Sequence, residues 1–126
     1  MSVVVGIDAV DIRRMGRMLA LSSDRFAKFA WTEAEREYCK GRSERYATRW
    51  AAKEAVMKAL GMGFASLNPL DIEVVSVEDK LPAVRLHGAA ALEAECQRIE
   101  SWSLSLTHED HLAMAIVAGS RRACHD

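Results

Sequence analysis

The sequence predicts an α+β domain in which a mainly antiparallel sheet packs against one long helix. Three observations predict it. The stretch RWAAKEAVMKALG, Arg49 to Gly61, consists almost wholly of strong helix formers and ends on a glycine where a C-terminal cap belongs, which predicts a helix from about Glu44 to Leu60. SWSLSLTH alternates strictly, LAMAIVA is continuously apolar, and the polar turn at Glu109-Asp110 lies between them, so the two read as paired strands. The order strand, helices, strand pair, helix, strand pair then sets the helices on one side of the sheet.

From the start of the chain, SVVVGID reads as a buried strand ending near Gly6-Ile7. Asp8 follows as the expected N-cap of a helix from about Ala9 to Leu21, with Ile12, Met15, Met18 and Leu19 at helical spacing and Arg13, Arg14 and Arg17 on the other face. SSDRFAKFA predicts a short helix capped by Ser22 or Ser23, and Thr32-x-x-Glu35 is a capping-box pattern that starts another. GMGFASLNP is a loop punctuated by Gly61, Gly63, Asn68 and Pro69. DIEVVSV and AVRL read as a hairpin joined through Glu78 to Pro82, and GAAALEAECQRI as a helix. In SWSLSLTH, Trp102, Leu104 and Leu106 share one face. Residues 1–119 form the expected domain, with 120–126 as a frayed tail.

With 126 residues, 50% of them hydrophobic and 28% charged, the chain is sized for one domain with a real core. Its net charge of −1 argues against a nucleic-acid binder or a polybasic membrane module. Cys39, Cys96 and Cys124 are odd in number and form no C-x-x-C pair, and the segment before Asp8 is too short for a signal peptide. The longest apolar run, Leu112 to Ala118, falls far short of the ~20 residues that span a bilayer. A reduced, cytoplasmic protein is therefore expected.

The charges on the long helix need explaining. At roughly 100° per residue Arg49 and Lys53 lie close together and Glu54 pairs with Lys58 further round. On a solvated face the Glu54–Lys58 pair contributes about 0.2–0.5 kcal/mol. In the more buried setting that the small apolar background suggests, such charges must be paired or bound to something. Asp8 is either a plain N-cap or a functional carboxylate at a strand exit. His108 ends a strand at the lip of a turn. HEDH is not H-E-x-x-H, which leaves a zinc reading weak and a surface histidine the plainer one. The Arg13, Arg14, Arg17 face is either solvated or a docking face for an acidic partner. The loop from Gly61 to Leu67 matches neither a dinucleotide nor a P-loop motif.

Taken together, GIDAVDIRRM, WTEAE, RWAAKEAVMKALGMGF and SLSLTHEDHLAMAIV resemble the holo-acyl-carrier-protein synthases, the small phosphopantetheinyl transferases, over nearly the whole chain. The resemblance implies that family's fold and the transfer of 4′-phosphopantetheine from coenzyme A to a serine of apo acyl carrier protein, releasing adenosine 3′,5′-bisphosphate. It implies that Asp8 and Glu54 hold Mg²⁺, a hard cation that usually takes only one or two protein carboxylates plus phosphate oxygens. Lys58, one turn beyond Glu54, would reach the same pyrophosphate and offset charge developing on the leaving phosphate. His108 would contact the coenzyme A phosphates, Arg49 and Lys53 the nucleotide's phosphates, and Gly61 and Gly63 would allow close backbone approach. Arg14, with Arg13 and Arg17, would meet the acidic recognition helix of the carrier. The serine proton would pass to Glu54 or to a water at the metal.

The resemblance further implies a homotrimer with active sites between subunits, Asp8 and His108 of one chain facing nucleotide contacts from the next. It leaves open whether the carrier serves fatty-acid, polyketide or another synthesis. The chain departs from the commoner pattern at EDKLPAV, which keeps Pro82 but not the usual Gly-x-Pro turn. Two rival readings are a non-catalytic coenzyme A- or nucleotide-binding module and a purely structural oligomeric domain. The presence of Asp8, Glu54 and Lys58 together weighs against the first; for the second these charges are ordinary surface.

Overall fold

The computed structural model describes residues 2–77 and 79–123. In chain order the elements are β1 (Val3–Asp11), α1 (Ile12–Leu21), α2 (Arg25–Ala30), α3 (Glu33–Cys39), α4 (Ser43–Leu60), a 3₁₀ turn (Pro69–Asp71), β2 (Ile72–Val75), β3 (Ala83–Leu86), α5 (Gly88–Cys96), β4 (Ile99–His108) and β5 (Leu112–Arg121). The expected antiparallel architecture is present, divided into a three-stranded sheet ordered β1-β5-β4 and a separate β2-β3 hairpin. Glu78, part of the expected hairpin connection, and residues 124–126 of the expected tail lie outside the described residues.

Helix α4 is the centre of the molecule. Ala51, Ala52, Ala55 and Val56 are fully buried, and their small side chains let the helix lie directly on the sheet. Facing it are Ala115 and Val117 of β5, with Trp102, Leu104 and Leu106 of β4 packed against the same cluster, as their shared face predicts. The closest approach is at Gly6 of β1, where an added Cβ would fall 1.8 Å from the carbonyl oxygen of Ala55. A second cluster, centred on Trp31, collects Ile12, Met15, Cys39 and Tyr46 beneath α1 and α3.

The ends of the elements correct several expectations. β1 does not stop near Ile7. It pairs with β5 from Val3↔Ser120 to Asp11↔Leu112, so the ladder carries the strand four residues further. Asp8 is thus a strand residue and not an N-cap; Asp11 caps α1, accepting from the backbone N–H groups of Arg13 at 2.9 Å and Arg14 at 3.1 Å. Neither Ser22 nor Ser23 caps α2, which starts at Arg25 behind Asp24 with no side-chain cap bond. The capping box at Thr32 and Glu35 forms as expected, and Gly61 closes α4 in the left-handed conformation at φ 73°. The last strand runs through Ser120 and Arg121, so the start of the expected tail belongs to the sheet.

Among the described residues no helix is long and apolar enough to cross a membrane.

Candidate active site

Alternation along β1 turns Gly6, Asp8 and Val10 towards α4 and leaves Val3, Val5 and Ile7 on the outer face. Asp8 therefore projects from the strand into the seam beside α4. Its side chain is only 10% exposed. One oxygen, Oδ1, accepts from Lys58 Nζ at 3.0 Å, and the same ammonium donates to the Ile7 carbonyl at 3.0 Å. The other oxygen, Oδ2, is buried and has no hydrogen-bond partner.

Glu54 of α4 faces this carboxylate. Its pKa is pushed up from 4.5 to about 7, chiefly by burial and then by the Asp8 carboxyl, while the Trp50 indole and the Lys58 ammonium work in the opposite direction. Two confronted carboxylates, one carrying an orphaned buried oxygen, are what a hard divalent cation resolves. The residues present therefore fit Mg²⁺. Among the described residues no three His, Cys, Asp and Glu side chains cluster as an all-protein metal cage.

The raised pKa fixes a pH dependence. Because the folded state holds the Glu54 proton more tightly than the unfolded chain does, the associated stability is fully present below the unfolded value of 4.5 and is lost as pH rises through about 7. A cation must displace that proton. Calorimetric titration with Mg²⁺ in buffers of different ionisation enthalpy is expected to show proton release below pH 7 that fades above it, with apparent affinity rising to that pH and then levelling.

Two clefts lie along α4, the first lined by Glu54. One, of about 350 Å³, lies between α1 and α4 and is lined by Val10, Arg14, Met15, Met18, Trp50 and Glu54 among others. The other brings together Arg45, Arg49, Thr107 and His108 over Tyr38. Arg49 is mostly buried, donates to Thr48 Oγ1 and Ser76 Oγ at 2.9 Å each, and lies 4.5 Å from the centre of the Tyr38 ring. Those partners are all neutral, and burial lowers its pKa. Arg45, one turn earlier, sits 4.7 Å above the same ring. The sequence reading missed Arg45, although its spacing from Arg49 puts both on one helical face. His108 and Arg49 line this cleft together.

Lys53 is the clear correction. It is completely buried, and its ammonium donates to Glu35 Oε1 at 2.8 Å, the Pro69 carbonyl at 2.8 Å and the Ile72 carbonyl at 2.7 Å. Its three donors are satisfied internally, so it does not face a ligand. Gly61 and Gly63 are exposed with no atom crowding a Cβ position, which leaves their backbone open to approach. Arg14 and Arg17 are exposed on α1, while Arg13 is hydrogen-bonded to His111 across the β4–β5 turn.

A domain in which a strand carboxylate and a helix carboxylate face each other at the helix–sheet seam is the class defined by these features. Residues 4–117 match the model of the 4′-phosphopantetheinyl transferase superfamily, and the chain belongs to that family. Its relatives are holo-[acyl-carrier-protein] synthases. The one from Herpetosiphon aurantiacus is 40% identical over 92% of this chain and 97% of its own length. The one from Gloeobacter violaceus is 39% identical over 90% of this chain and 89% of its own. Among solved structures, the Helicobacter pylori holo-[acyl-carrier-protein] synthase in complex with coenzyme A superposes with a TM-score of 0.83 at 30% identity, covering 92% of this chain and 99% of that one.

Proposed function

We propose that the protein transfers 4′-phosphopantetheine from coenzyme A to a serine of an apo acyl carrier protein, using Mg²⁺ held by Asp8 and Glu54. The observation that carries this reading is the carboxylate pair, with Asp8 Oδ2 buried and unpartnered opposite Glu54. A bound Mg²⁺ would polarise the pyrophosphate as a Lewis acid.

The chain's own groups do the rest. The serine Oγ attacks the pantetheine-side phosphorus, the P–O bond to the adenosine-side phosphate breaks, and adenosine 3′,5′-bisphosphate leaves. Lys58 Nζ, half exposed and already beside Asp8, supplies positive charge to the departing phosphate. Arg49, Arg45 and His108 hold nucleotide phosphates in the basic cleft. The serine proton would pass to Glu54 or to a water at the metal. Arg14 lines the same cleft as Glu54, which supports docking of an acidic carrier helix against α1.

Intact mass spectrometry tests the reading. An apo carrier protein incubated with this protein, coenzyme A and Mg²⁺ should gain the mass of one phosphopantetheine arm, and Asp8→Ala and Glu54→Ala should each abolish the gain. Coenzyme A binding without mass gain on any carrier would favour the binding-module reading instead.

The trimer belongs to the same proposal. Val3, Val5 and Ile7 are each more than half exposed on the outer sheet face, beside Ile116 at 45%, an apolar patch that self-association would cover. Light scattering should give three times the chain mass, and Ile7→Lys should reduce it to one. We also assign the protein to a reducing, cytoplasmic compartment. Cys39 and Cys96 are free, and burial pushes the Cys39 thiol up to about 12, which keeps it a neutral core thiol.

A further inference from the structure

Arg45 and Arg49 stand one turn apart on α4, a spacing at which like charges weaken a helix. Neither finds a counterion within the chain. Among the described residues no carboxylate lies within ion-pair distance of either guanidinium, and Glu44, the acid that lines their cleft, pairs with Arg42 at 3.8 Å. Arg49 is only 8% exposed. A buried cation with no counterion is costly unless something else brings the missing charge.

What holds the pair is neutral. Arg49 Nη1 donates to Thr48 Oγ1, and the Thr48 hydroxyl donates in turn to the Arg45 carbonyl at 3.0 Å, which keeps that acceptor in place. Arg49 Nη2 donates to Ser76 Oγ, on the residue that follows β2 directly. The half-buried Tyr38 ring of α3 lies against both guanidiniums, and Arg45 Nη1 donates to the Tyr38 carbonyl at 2.7 Å. An aromatic face attracts a cation without neutralising it. Two arginines are thus gathered on one ring with their charge intact, at the wall of a cleft of about 180 Å³ that His108 also lines.

We infer that Tyr38 and Ser76 are positioning residues that aim Arg49, and through the shared ring Arg45, at a phosphate of coenzyme A. The inference rests on the coenzyme A reading of this cleft. Held at both terminal nitrogens and against a ring, Arg49 meets the anion in one orientation. The ordering of its long side chain then falls on folding and not on binding. Its remaining N–H donors are left for the phosphate oxygens.

Calorimetric titration of the intact protein with coenzyme A tests it, with folding checked by thermal melts. Arg49→Met should weaken binding about tenfold or more. No binding by the wild type, or wild-type affinity in Arg49→Met, overturns the coenzyme A reading of the cleft and this inference together. Ser76→Ala, which removes one hydroxyl, should weaken binding about fivefold. Tyr38→Leu should weaken it about tenfold, and Tyr38→Phe, which keeps the ring, should restore it to within about twofold of the wild type. In the Arg49→Met background Ser76→Ala should have no further effect, because the hydroxyl acts through that guanidinium. If Ser76→Ala and Tyr38→Leu both bind coenzyme A like the wild type while Arg49→Met does not, the two are packing residues and the inference is wrong, with the cleft reading untouched. An equal loss from Ser76→Ala with and without Arg49 would overturn it as well.

Discussion

Replacing Gly6 with alanine is expected to cost more than about 3 kcal/mol of stability and to abolish Mg²⁺ binding in whatever protein still folds. The new methyl would stand 1.8 Å from the Ala55 oxygen, 2.7 Å from its carbonyl carbon and 3.1 Å from the Ala59 nitrogen. All three are backbone atoms, so no rotamer change relieves the overlap. Either β1 or α4 must retreat. Asp8 lies two residues beyond Gly6, and Glu54 is the neighbour of Ala55, so a retreat at this contact opens the gap between the two carboxylates directly. Urea unfolding measures the first effect, and Mg²⁺ calorimetry at low temperature measures the second. A variant with wild-type stability would mean that the helix does not rest on Gly6.

Lys53→Met is expected to destabilise the protein by about 3–5 kcal/mol, because it removes one partner of a fully buried ion pair and strands the other. Glu35 Oε1 also accepts from Thr32 N at 2.8 Å and Oε2 from Val74 N at 2.9 Å, so the carboxylate is anchored and cannot swing out to water. The Pro69 and Ile72 carbonyls lose their donor as well. For a domain of this size the melting temperature should fall by roughly 10–20 °C. Coenzyme A affinity, measured where the variant is still folded, should be unchanged. A selective loss of coenzyme A binding without a stability change would return Lys53 to the ligand site.

What the sequence made legible follows from how local each signal is. The helix formers from Arg49 to Leu60, the capping box at Thr32 and the alternation from Trp102 to Leu106 are all written within a few residues, and each element formed where expected. The end of β1 is not local. It is set by pairing with β5 more than a hundred residues away, and Asp8 occupies an inward position that a core strand would give to an apolar residue. That same mismatch supports the proposed role of Asp8 as a metal-holding carboxylate. Lys53 was misread because a lysine looks the same on a wet face as in a core, and its partner Glu35 is eighteen positions away. The Trp50–Phe64 stack likewise joins a helix to a loop that no periodicity connects.

β1 ends at Asp11 and α1 begins at Ile12, with no residue between them. The strand that carries Asp8 and the helix that carries Arg14 are consequently joined directly, with the Asp11 cap at the bend. On the proposed docking, a carrier seated on the arginine face would be gauged against the carboxylates by covalent geometry, as a workpiece is held in a jig. Discrimination among carriers would then be a matter of length: a partner whose serine stands too near or too far from its acidic patch would bind and stay unmodified.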